Sequence, residues 1–440
     1  MPGGMDCSLS LGFRLCPMHF SRTSCSVGLA LLLGVCSTAH SQSMTEAVQI
    51  ALSQYPAILA AQARSQAADA EVSVAQSKHW PQVSWQGTQS TYSSGLSSPF
   101  APSNNWIQSP TVSLNVWSGW RIESQVERAR ALSDAGQKQQ QITRDEVALL
   151  ALEGYLNWAR TGELVQLAKE NLKSHERIRG NIATIVSIDS GRRVDLEQAD
   201  VRLENARLTL RQRETELEVA KQRLTRMLLM SPPAQPSGLE VKYGAVPNQV
   251  DMALSQINDQ HPVIAQQLAQ VEAAKASIRT ARSEFSPSVD VSYGKQVAQG
   301  TGQGDYLTQL TISMPIFSGG SSYSGMKAAQ AQLQASEFAL QEARVIQRER
   351  LMSAWAERES AQARAVVGRQ QAQKGNALVI GYEQQFQVGR RSLLDLLNVQ
   401  NDLLNYRSNA VNAMFEERVS YARILAALGK LAVAFQGSSQ

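Results

Sequence analysis

The sequence predicts an α+β membrane-protein fold, in which β-strands pooled between subunits close a barrel that a long α-helical coiled coil continues. Three observations predict it. The chain is an internal duplication. Each copy sets a pair of alternating strands beside helical stretches well beyond the globular norm. An apolar leader marks the chain for export, yet no later segment carries some twenty uninterrupted apolar residues, so a membrane crossing has to be a closed β-barrel.

The leader comes first. Val27–Val35 is an apolar run too short to span a bilayer, preceded by Arg14 and Arg22 and followed by small residues at Ser37, Ala39 and Ser41. It reads as a secretory signal peptide over residues 1–41, cleaved after Ala39 or Ser41, with Met18 as an alternative start. All four cysteines (Cys7, Cys16, Cys25, Cys36) lie in it, which leaves the mature chain without a disulfide or a thiolate metal site. Cys36 is a candidate for lipid attachment, but Val35 stands where such a signal takes a small residue.

Composition excludes several classes. Forty-two Lys plus Arg against 38 Asp plus Glu give a net charge of +4, too mild to argue for nucleic acid. None of His19, His40, His79, His175 and His261 is spaced as a metal pair. There is no phosphate loop and no nucleophile elbow. The expectation is a protein that is not an enzyme and uses no cofactor.

The duplication sets the organisation. Tyr55-Pro56 is matched by His261-Pro262 and Trp80-Pro81 by Ser286-Pro287, both prolines shifted by 206 positions. Trp117-Ser118-Gly119 returns as Phe317-Ser318-Gly319, and Ser190-Gly191-Arg192-Arg193 as Val388-Gly389-Arg390-Arg391. Residues 42–230 form repeat one and 251–430 repeat two. The breaker-rich segment 231–250 is the linker, and 431–440 is a tail.

Each element follows from its pattern. A helical stretch from about Thr45 to Lys78 is ended by Pro81, which cannot continue a helix. Val83 and Trp85 alternate with polar residues, as do Val112, Leu114 and Val116, with a polar loop between. Repeat two alternates at Val289, Val291 and Tyr293, then at Leu310, Ile312, Met314 and Ile316. A Ser-Gly corner then opens a helix of about 68 residues, Arg121 to Ile188, and one of about 66, Ser322 to Gln387, each roughly 100 Å long. Two shorter helices laid end to end match each long one, the geometry of a helical wall. Leu196, Leu203, Leu210, Leu217 and Leu224 recur every seven residues, with Ala199, Ala206 and Ala220 three positions on, an a/d seam for close coiled-coil approach.

Four strands of roughly ten residues suit a bilayer but cannot close, and an open edge is not tolerated in lipid. Two copies give eight strands with a filled interior; three give twelve, wide enough for water. Tyr92, Phe100, Trp106, Trp117, Trp120, Tyr293, Tyr306 and Phe317 lie near strand ends, where aromatic girdles sit.

Taken together, the duplicated helix-strand-strand-helix units resemble the TolC-like outer-membrane factors over nearly the whole mature chain. The breaks at Pro81 and Pro287 and the corners at Gly119 and Gly319 are similar to that family's helix-barrel junctions. Met314-Pro315-Ile316-Phe317-Ser318-Gly319-Gly320 resembles its barrel-exit motif, and Val388–Leu397 its periplasmic tip. The resemblance implies a homotrimer with a twelve-stranded barrel in outer-membrane lipid, a helical tunnel in the periplasm, and a mixed α/β collar built with the linker and the Ala427–Lys430 stretch. It implies partners as well: a periplasmic adaptor and an inner-membrane ABC or proton-driven transporter.

By the same resemblance Gly191 and Gly389 are adaptor-docking candidates, with helix C-caps as the competing reading. Asp395 matches the first of two aspartates that ring the family's periplasmic constriction; the second position is Asn398, which halves the ring charge. Asp195 occupies the analogous turn of repeat one. Arg391 is expected to pair with Asp195 or Asp395 and hold the tip shut. First-turn charge stabilising a helix is the competing reading for both aspartates. The implied function is a passive exit duct for type I protein secretion, with a multidrug or metal efflux duct as the alternative and a periplasmic coiled-coil scaffold as the rival from another class.

Overall fold

The computed structural model describes residues 43–91, 104–233, 235–239, 246–297 and 304–436. The leader with its four cysteines, Met18, Tyr92 and Phe100 lie outside the described residues. Ser41–Gln440 forms one compact unit.

Helix α1, Met44–Gln54, opens with a reciprocal cap: Glu46 N–H donates to Ser43 Oγ, and Ser43 N–H to the Glu46 carboxylate. Tyr55 then turns extended and Pro56 starts α2, Pro56–Ser77. The single helical stretch expected from Thr45 to Lys78 is thus two helices. The residue before a proline is pushed out of the α region, and proline itself fits the first helical position.

Strands β1 (Gln82–Thr91) and β2 (Asn104–Trp117) follow, then α3, Arg121–Ile188. A 3₁₀ turn, Ser190–Arg192, leads into α4, Arg193–Leu228. Repeat two comprises α5 (Val250–Leu254), α6 (Pro262–Ser283), β3 (Ser288–Val297), β4 (Gly304–Ser313), α7 (Ser321–Gln387) and α8 (Leu393–Ala427). A last short helix, α9, spans Leu431–Gln436. The strand alternation read through Met314 and Ile316 stops at Ser313, because Pro315 has no amide to give a ladder.

The strands form one antiparallel sheet in the order β1-β2-β3-β4, so β2 paired with β3 joins the two repeats. α3 packs on α2, α4, α6 and α8, whereas the principal neighbours of α7 are α6 and α8. Leu203, Leu224, Ala199, Ala206 and Ala220 of the α4 seam are buried, while Val194, Val201 and Leu208 face outward.

The main core gathers around Leu152, Tyr155, Leu224 and Phe415, where the segment after α4 returns to α3. The Tyr155 hydroxyl donates to Ser237 O at 3.0 Å and accepts from Ser237 N at 2.9 Å. Ser237 also bridges to Ser43. Nearby, the Asp145 carboxylate accepts the Ala432 N–H at 2.7 Å and so caps α9. Burial lifts that carboxyl from 3.8 to about 6, against the lowering pull of the Ala432 and Leu431 amides. Among the described residues no helix is long and apolar enough to cross a membrane.

Candidate functional site

The sheet is the first part of the site. Register decides its two faces, because side chains alternate along a strand. Val83 pairs with Val112 and Leu114 with Val291, Val291 in turn with Leu310, and Val289 with Ile312. All these lie on one face, with Trp85 and Tyr306. Ser84, Thr111, Ser113, Ser292, Gln309 and Thr311 lie on the other. On that polar face Asn115 Nδ2 donates to Asp290 Oδ1 at 2.7 Å.

The apolar face stands uncovered: Trp85 is 62% exposed and Ile312 68%. A bare apolar sheet face is unfavourable in water at about 25 cal/mol per Å² and favourable against lipid. β1 and β4 have no outer partner strand among the described residues. Their unpaired amides and carbonyls are intolerable in hydrocarbon. A β-bulge between Asn115 and Trp117 bends the sheet where it meets the helices. Tyr293 and Tyr306 stack at 5.3 Å on β3 and β4.

The corners join strands to helices. Gly119 and Gly319 both take a φ of 63°, the left-handed region that glycine enters freely. Pro81 and Pro287 stand just ahead of β1 and β3, outside both helix and ladder.

The tip is the second part. At the first turn Asp189 Oδ1 accepts the Gly191 N–H at 3.0 Å. Gly191 is absent from the left-handed region, so its turn does not need glycine's freedom; Gly389, with a φ of 73°, does. Arg192 Nε donates to Asp195 Oδ2 at 2.8 Å, and the guanidinium lies 5.8 Å from the Phe386 ring centroid on α7.

Arg391 departs from expectation within the chain: it pairs with neither Asp195 nor Asp395. Its Nε donates to Gln385 Oε1 at 3.0 Å and its guanidinium sits 4.6 Å from the Tyr382 ring centroid. The reason is that both carboxylates are already engaged locally. Asp195 holds Arg192, and Asp395 accepts the Ser392 N–H at 3.4 Å while its own N–H donates to Ser392 Oγ at 3.1 Å. Asp395 is half-buried beside Leu396 and Leu397 of the tip core. Asn398 is exposed and accepts from Arg202 of α4 at 3.2 Å, which ties the two coils together.

Sequence reasoning missed Tyr382, Gln385, Phe386 and Arg202. The Ser392-x-x-Asp395 spacing did carry a signal for the cap. Nothing local marks a ring on α7 as the seat of an arginine from a turn.

A sheet with one lipid-compatible face, one hydrated face and two open edges, carried on helices too polar for a bilayer, defines a subunit of an outer-membrane channel. The chain belongs to the outer membrane efflux protein family, whose sequence pattern matches residues 47–228 and 253–430. It is 22% identical over 406 residues to the outer membrane efflux protein BepC of Brucella suis, covering 89% of this chain and 86% of that one. It is 25% identical over 403 residues to protein CyaE of Bordetella pertussis, covering 88% and 84%. Among solved structures, CusC superposes with a TM-score of 0.77 at 20% identity, over 88% of this chain and 92% of that one. The Campylobacter jejuni CmeC outer-membrane channel superposes with 0.77 at 17% identity, over 88% and 86%.

Proposed function

We propose that the protein is a homotrimeric, passive exit duct which a periplasmic adaptor couples to an energised inner-membrane transporter, and that it serves type I protein secretion. The open, two-faced sheet carries this reading. Four strands fall short of the roughly eight that the smallest membrane barrels need, and three copies supply twelve around an aqueous lumen. A shared barrel also accounts for β1 and β4 lacking partners in one subunit. Val35 ahead of Cys36 favours an unlipidated duct, and with it protein cargo over a dedicated drug or metal pump.

At the tip, Gly191 and Gly389 head the adaptor-docking turns, and Asp395 from each subunit rings the constriction. Asn398 leaves that ring half as charged as a double-aspartate gate. The Arg391 contacts with Tyr382 and Gln385 and the Arg192 contact with Phe386 support a closed tip that docking releases.

Deleting the gene and assaying secreted proteins and drug or metal susceptibility side by side tests the cargo. Loss of one secreted protein with unchanged susceptibility is expected. Unchanged secretion with hypersensitivity transfers the duct to efflux. Recovery of the protein wholly in the soluble periplasmic fraction would instead favour a coiled-coil scaffold.

A further inference from the structure

We propose that neighbouring subunits lock through a knob and a hole at the helix-barrel corner: Trp80 of a second copy seats over the Gly319–Gly320 turn. The proposal rests on strand sharing between copies and adds the residues that set its register.

The chain contains a template for the contact. A Cβ placed on Gly119 would stand 2.3 Å from Ser286 Cβ and 3.3 Å from Ser283 O, so the end of repeat one's hairpin is pressed against the start of repeat two's. That approach follows from β2 pairing with β3, which sets Trp117 opposite Val289.

The corner that closes repeat two lacks this cover. Apart from the adjoining residues of the chain, no described atom lies within 4 Å of a Cβ placed on Gly319 or Gly320. Ile316 and Phe317 beside it are 96% and 87% exposed. The repeat counterpart of Ser286, 206 positions earlier, is Trp80, itself 69% exposed. β1 begins two residues after Trp80, and β4 ends six before Gly319. Antiparallel pairing of β4 with β1 of a second copy, in the β2-β3 arrangement, therefore brings Trp80 and Gly319 to the same end of the sheet.

Side-chain bulk is exchanged between the two corners. Where the facing residue is the small Ser286, the corner carries Trp120. Where it is the large Trp80, the corner carries Gly320. Trp120 holds a φ of 67° and Gly320 one of 84°, so this backbone accepts a side chain at that position. Glycine relieves that left-handed backbone, and in the proposed seam it also leaves room for the Trp80 indole. The same seam gives α7 the α2 and α4 neighbours that α3 has in their repeat-equivalent places.

A bulk-swap experiment on the full-length protein tests it, read by native mass of the detergent-extracted assembly. Gly320→Trp is expected to cut trimer recovery about tenfold or more, the scale set by roughly 1.4 kcal/mol per decade. Trp80→Ser added to Gly320→Trp recreates the Ser286–Trp120 combination and is expected to restore the trimer. In a separate pair, Trp80→Cys with Gly320→Cys, copper-phenanthroline oxidation is expected to give covalent dimers and trimers. The four native cysteines all precede Ser37. A double variant no better than Gly320→Trp, together with no cross-linked ladder from a trimeric cysteine pair, overturns the knob and hole while leaving strand sharing intact. A monomeric wild type overturns strand sharing itself.

Discussion

His261 reaches across a helix junction to Ala427: its Nε2 lies 3.0 Å from Ala427 O, at the point where the start of α6 meets the end of α8. The last carbonyls of a helix have no intrahelical partner, so this imidazole, as an Nε2–H donor, splices two short helices into one strut. Gly429, with a φ of 67°, turns the chain beside it and brings it against Pro262.

Burial lowers the His261 pKa below its ordinary 6.5, opposed only in part by the Ala427 carbonyl. The folded state therefore favours the neutral ring. Its contribution is present above about pH 6.5 and is lost as pH falls toward the depressed value. His261→Phe is expected to cost about 1 kcal/mol at pH 7.5 through the lost hydrogen bond. The gap to wild type should narrow at pH 5.5. Thermal unfolding followed by circular dichroism at both pH values checks it; a gap that widens in acid would refute it.

Asp145 has the opposite sign. Its folded pKa, about 6, lies above the unfolded 3.8, so its contribution is complete below pH 3.8 and is lost as pH rises through 6. The full shift corresponds to about 3 kcal/mol at one decade per 1.36 kcal/mol. Asp145→Asn keeps an acceptor for the α9 amides without the buried charge. Between pH 5 and pH 7.5 the variant is expected to gain on wild type by about 1.4 kcal/mol, because the rest of the shift is already expressed by pH 5. Parallel melting curves across this range would remove the linkage.

The two tip glycines separate in an alanine series. Gly389→Ala places a Cβ in the left-handed region and is expected to destabilise the turn by about 1–2 kcal/mol. Gly191→Ala meets only Asp189 Oδ1 at 3.2 Å and should cost less than half as much. Limited proteolysis at the tip reads the difference, with Gly389→Ala cut faster. Equal rates for the two variants would mean that backbone handedness does not govern the turn.

The proposed ring of one Asp395 carboxylate per subunit predicts modest cation preference. Asp395→Asn is expected to move the reversal potential toward zero under a salt gradient, and the shift should shrink as ionic strength shortens the Debye length. The loss of about 0.5 kcal/mol of helix capping leaves the trimer intact. An unaltered reversal potential in planar bilayers would take Asp395 out of the permeation path.

Much of this fold was legible because its signals are local and repeated. The ends of α3 fall at Arg121 and Ile188 because Gly119 and the Asp189-Ser190-Gly191 turn stop a helix by their own backbone preferences. The break at Tyr55 was equally local and was passed over, since helical periodicity runs on through Pro56. Of the tip contacts only the Ser392–Asp395 cap was legible. Sequence offers Arg391 the neighbouring Asp395 and, by the repeat, the distant Asp195, and which of several partners it takes depends on how α7 and α8 are rotated about each other.

Sequence alone determined the duplication, the long helices, the strand alternation and the shortage of strands in one subunit. Each follows from periodicity, backbone chemistry or counting within a window of residues. Tertiary structure decided that Arg391 lies on Tyr382, that His261 closes onto Ala427, and that one glycine corner is filled while its twin stands open. Those depend on how separate elements are set against each other, which packing decides and no local window encodes.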